Sequence, residues 1–95
     1  MIKLVTYGSQ LFAAERAETH SGCGVKLGFS ADWSGLIKCI DLRNEKSRVR
    51  RILSAEMPVV RIPHELTDGG GVISCCVIGR DKCGSIVLRT NRLNL

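Results

Sequence analysis

The stretch Val25–Leu42, VKLGFSADWSGLIKCIDL, decides how the rest of the chain is read. Val25, Leu27 and Phe29 alternate with Lys26, Gly28 and Ser30, the period-two pattern of a strand that buries one face. The segment SADWSG (30–35) interrupts that pattern with turn formers, and Leu36–Leu42 resumes an extended apolar run. Trp33, the only tryptophan, therefore falls at a corner between two strands. A large ring at such a corner can close the end of a core, because Trp is mostly buried while its N–H still reaches a partner. Phe29, Trp33 and Leu36, with Pro63 further along, are the expected fold determinants.

Upstream, Met1–Tyr7 (MIKLVTY) alternates as a first strand ending at Gly8-Ser9. Gln10–Thr19 fits either a short helix, by the propensity of Leu11, Phe12, Ala13, Ala14 and Ala17, or an extended strand. His20–Gly24 reads as a flexible turn, with Gly22 and Gly24 free to take positive φ. Downstream, Arg43–Arg48 is a charged loop, and Val49–Leu53 and Val59–Ile62 are short runs rich in β-branched residues. Pro58 and Pro63 cannot donate to a ladder and so belong at strand ends or edges. Pro63 can also open a single helical turn over 62–67, and 68–71 is a tight turn. Val72–Gly79 reads as a central strand, with Ile73, Cys75 and Val77 on one face and Ser74, Cys76 and Ile78 on the other. A polar turn follows, with Gly84 available for positive φ; Ser85–Thr90 closes the sheet, and Asn91–Leu95 reads as a tail. The expected fold is all-β: one small β-sandwich over residues 1–95, Ig-like or a partly open barrel, with about six to eight short strands and at most one short helix or helical turn.

Composition agrees with a folded domain. The 95 residues are 44% hydrophobic and 24% charged, ordinary for a globular chain and unlike a disordered one. No apolar run approaches the roughly 18–20 residues of a membrane span, and MIKLVTYGSQLF lacks the long apolar core of a secretory signal. The five cysteines (Cys23, Cys39, Cys75, Cys76, Cys83) are odd in number and two are adjacent, which favours reduced thiols in a cytoplasm over a disulfide framework. Net charge is +5, a mild bias toward acidic partner surfaces.

No pattern in the chain points to catalysis. His20 and Cys23 form H-x-x-C, and Cys75, Cys76 and Cys83 add thiols, but the spacing fits no paired zinc knuckle. Nothing near His20 or His64 activates a thiol, and Gly69-Gly70-Gly71 lacks the lysine of a phosphate loop. No catalytic residue, metal ligand or cofactor is therefore expected. The one basic cluster is Arg43, Lys46, Arg48, Arg50 and Arg51. On a strand, Arg48 and Arg50 share a face and Arg51 lies opposite. Arg48, Arg50 and Arg51 are the candidate partner-binding residues, facing a protein or nucleic acid, against the plainer reading of a solvated arm. Only four aromatic residues are present, too few for a base-stacking platform.

Several of these pieces, in order, resemble a small β-sandwich domain of bacteriophage virion proteins, found in tail, baseplate and fibre proteins. That pattern runs F-x-F-S, D-W-x-G, a strand ending F-x-N, then I-P-x-E-x-L, a glycine and an apolar strand ending V-x-G. Phe29-Ser30, Asp32-Trp33-Ser34-Gly35, Asp41–Asn44, Ile62–Leu66, Gly71–Val77 and Ile78-Gly79 fill those places. Leu42 replaces the usual aromatic, and Glu65 is followed at once by Leu66. The match spans about Val25–Thr90; residues 1–24, an N-terminal arm or strand, fit less well. The resemblance implies a non-enzymatic virion structural protein: a capsid-decorating or head-fibre protein, or a tail or baseplate adaptor. Its partners would be capsid or tail proteins of the same virion, in many copies or as a homo-oligomer, assembled in the host bacterial cytoplasm without membrane or nucleic acid. The competing reading is a small basic nucleic-acid-binding β-barrel, such as a phage regulator.

Overall fold

The computed structural model describes residues 2–15, 24–54, 56, 58–67 and 71–95. Its elements in order are β1 (Ile2–Tyr7), β2 (Gln10–Glu15), β3 (Gly24–Phe29), β4 (Ile37–Arg43), β5 (Arg48–Ile52), β6 (Val59–Arg61), α1 (His64–Thr67), β7 (Ser74–Arg80), β8 (Ile86–Arg89) and β9 (Leu93–Asn94). The chain is all-β. One sheet runs β2-β1-β3-β6 and the other β5-β4-β7-β8, with β9 also on β7. Their inner faces share one core.

Alternation explains which face each strand buries. Ile2 and Leu4 of β1 and Val25 and Leu27 of β3 point inward from one sheet, and Ile40, Leu42, Cys75 and Val77 from the other. β1 and β3 are parallel, with Ile2 opposite Val25 and Leu4 opposite Leu27. Each inward position thus meets another inward position.

Trp33 sits in a 3-10 turn, Ala31–Trp33, between β3 and β4. The ring is fully buried, and its Nε1–H donates to the Gly8 carbonyl at 2.9 Å. Phe29 lies against it with centroids 5.5 Å apart. On β7, Gly79 leaves the space the indole and Leu36 fill: a Cβ there would lie 2.8 Å from Trp33 Cζ3 and 2.9 Å from Leu36 Cδ1. Leu36 packs partly buried against the core. Pro63 is half-buried, and its carbonyl accepts from Leu66 N–H at 3.1 Å to close the α1 turn.

Three expectations need correction. Nine strands form among the described residues, above the six to eight expected. The excess includes β9, because Asn91–Leu95 is not a tail: Leu93 pairs with Cys75 and Asn94 with Ser74. Of the arm and strand alternatives for the N-terminal residues, the described ones form strands, with β1 inside its sheet between β2 and β3. Gly24 belongs to β3 rather than to a turn. The helix-or-strand choice at Gln10 resolves to strand through Glu15, because pairing with β1 buries Leu11 and outweighs weak helix propensity. Readings on 16–23 and 68–70, including H-x-x-C, lie outside the described residues.

The two long sides of the sandwich differ. On one, Asn91 clasps Leu11: its Oδ1 accepts from Leu11 N–H at 2.7 Å, and its own N–H donates to Ser9 O at 3.2 Å. On the other, β5 and β6 are both sheet edges, and a shallow groove lies between them.

Candidate functional site

The outer face of the second sheet carries the densest charge. Ile40 and Leu42 point into the core, so alternation turns Cys39, Asp41 and Arg43 outward. Asp41 pairs across to Arg50 on β5 and Cys76 on β7, and Arg43 to Arg48. Three strands thereby bring one carboxylate under several guanidiniums.

Asp41 is fully buried beneath them. Its Oδ2 accepts from Arg48 Nη2 at 2.9 Å and Arg50 Nε at 3.2 Å. Its Oδ1 faces Arg43 Nε and Arg92 Nη2, each at 3.4 Å. Arg92 reaches in from the β8–β9 turn, anchored by donation from Nη1 to Ser74 Oγ at 3.0 Å. Arg89 of β8 completes the ring, placed opposite Ile78 by the β7–β8 pairing. Burial alone pushes the Asp41 carboxyl up, but hydrogen bonds from Arg48, Arg43 and Arg50 outweigh it and hold the pKa at about 2. Asp41 is therefore an anion at any ordinary pH. A cavity of about 220 Å³ opens above it, with Cys76 and Ile78 among its lining.

Of the three arginines picked out from sequence, Arg48 and Arg50 converge on Asp41 while Arg51 does not. Arg51 lines the groove on the open side of the sandwich, with Ile52, Val59, Arg61 and Pro63. Ile52 is 77% exposed there and Val59 38%. Sequence reasoning missed Asp41, Arg89 and Arg92. For Asp41 a signal was present: a lone acid between Ile40 and Leu42 must leave the core face. For Arg92 none was, because its position depends on β9.

Other chemistry is sparse among the described residues. No group of three or more His, Cys, Asp or Glu side chains comes together. Cys75 points into the core and Cys76 to the arginine face. The Cys39 thiol is pushed up by burial, which favours its protonated form. The exposed pair Tyr7 and Phe12, 6.2 Å between ring centroids, stands on the other sheet. Among the described residues no helix is long and apolar enough to cross a membrane. Comparison with protein-family models, with curated proteins and with solved structures finds no match.

Proposed function

We propose that this chain is a non-enzymatic assembly module, and specifically a bacteriophage virion structural protein of the capsid-decorating, head-fibre or tail and baseplate adaptor type. The observation that carries the reading is the open side of the sandwich. There β5 and β6 each lack a further strand among the described residues, and Ile52 and Val59 lie exposed between Arg51 and Arg61. Unpaired edges beside exposed apolar side chains are features that monomeric β-proteins avoid and assembling ones use. The flanking cations suit an extended segment, apolar and acidic, from a capsid or tail protein. The sequence resemblance supplies the virion setting, and many copies on a symmetric shell would add interface burial to a small core.

The test is whether the tagged chain sediments with intact phage particles and self-associates by native mass spectrometry. Ile52→Asp should abolish both while leaving the β-rich circular dichroism unchanged. A chain that stays monomeric and never sediments with particles overturns the reading. The arginine face favours a second reading, a small nucleic-acid-binding protein. It requires DNA or RNA binding that weakens steeply with salt and is lost when Arg48, Arg50 and Arg51 become Ala. Against it, the exposed aromatic pair lies on the sheet away from the arginines, so bases find no stacking surface beside them.

A further inference from the structure

The arginine face has more charge than its own fold uses. Five guanidiniums (Arg43, Arg48, Arg50, Arg89, Arg92) surround one carboxylate, Asp41, which leaves an excess of four positive charges. Arg43 and Arg50 meet Asp41 through Nε, and neither guanidinium has a further protein partner among the described residues. Arg89 has no ion pair there at all. The side chains of Arg43, Arg48 and Arg50 are 43–49% exposed, so these spare donors are open to a ligand.

We infer that the cavity above Asp41 is a binding site for a single phosphate dianion, free or as the terminal phosphoryl group of a small molecule. Charge decides between phosphate and carboxylate. A carboxylate offsets one of the four surplus charges, whereas a phosphate carries about −1.5 to −2 at neutral pH and offers three acceptor oxygens. Guanidinium forks match those oxygens bidentately. Size is in keeping with a small group. The cavity, about 220 Å³, is smaller than the roughly 300–1,000 Å³ of ordinary small-molecule pockets. It holds one phosphate and a few waters, at about 30 Å³ each. Geometry decides against a nucleic-acid strand, whose successive phosphates need a stripe of cations, while these arginines converge on one point. Asp41 is the organiser. By fixing Arg43, Arg48, Arg50 and Arg92 before any ligand arrives, it removes much of the ordering cost of binding.

The experiment is isothermal titration calorimetry of the whole chain near neutral pH. Inorganic phosphate, glycerol phosphate and acetate are compared at matched ionic strength. This result stands or falls separately from the assembly reading, which concerns the groove between β5 and β6. One phosphate per chain should bind saturably, with acetate weaker by about tenfold or more. Arg89→Gln should weaken phosphate by about threefold to tenfold and Arg50→Gln by more, while Arg51→Gln, outside the cavity, should change nothing. Glycerol phosphate binding as well as inorganic phosphate identifies a terminal phosphoryl group as the ligand; binding of inorganic phosphate alone identifies the free ion. Absence of saturation with both, equal affinity for acetate, or equal behaviour of Arg89→Gln and Arg51→Gln overturns the site. Because Arg89 makes no ion pair among the described residues, its substitution leaves the fold intact and the comparison readable.

Discussion

Trp33 and Asp41 are both sealed from water, one just before β4 and one within it, yet opposite physics holds them. The indole contributes a large apolar surface and asks for one hydrogen bond, which Gly8 supplies. The carboxylate contributes no apolar surface and needs several cations around it to stay ionised. Satisfying Trp33 finishes the core and leaves nothing over. Satisfying Asp41 gathers more charge than it can offset and turns the remainder toward solvent. A buried apolar anchor closes a molecule, whereas a buried ionic one can prepare a surface for a partner.

The comparison can be broken most forcefully at the tryptophan. Trp33→Ala should cost about 3–5 kcal/mol, the range for emptying a large aromatic site, read from the denaturant midpoint at unchanged slope. A loss below about 1 kcal/mol would mean the indole is not a structural plug. From the other side of the same contact, Gly79→Ala should cost about 1–3 kcal/mol, since its Cβ would sit 2.8 Å from the ring.

At the ionic anchor, Asp41→Asn should cost about 2 kcal/mol, with a pH signature that the tryptophan variants lack. The folded carboxyl titrates at about 2 instead of 3.8. At about 1.4 kcal/mol per pH unit, its ionisation adds about 2 kcal/mol that is fully present above the unfolded pKa and disappears as pH falls from 3.8 toward about 2. Wild type and Asp41→Asn should therefore converge in stability across that acid window. If they stay parallel, the arginines are not holding the charge. The smallest effect is expected at Arg89→Gln, within about 0.5 kcal/mol of wild type in stability. That near-neutrality is what makes any loss of phosphate affinity there attributable to the site.

Much of the core was legible because alternation along a strand is a local signal. Val25 and Leu27 could be assigned inward from their neighbours alone, whereas for β7 alternation only separated the faces, and the fold decides that Cys75 and Val77 meet the core. The ambiguity at Gln10–Thr19 had a physical source, since Ala-rich segments tolerate both conformations and only the partner strand decides. The parallel β1–β3 pairing was not legible, because it depends on how the intervening chain crosses over. The arginine face was half legible. Arg48 and Arg50 announced a shared side by their spacing. The anchor beneath them needed the register of β4 on both β5 and β7, and its fourth arginine needed β9. Long-range register is the part of a fold that single-residue patterns do not encode.

The Asn91 clasp on Leu11 joins residues 80 apart in sequence, and it bears on the order of folding. Closing so long a loop is entropically unfavourable until the elements at both ends are already formed. The contact therefore belongs after the rate-limiting barrier, where its removal leaves the refolding rate unaltered and quickens escape from the native state. In that sense it works as a latch, setting how long a finished molecule lasts without affecting how fast one is made.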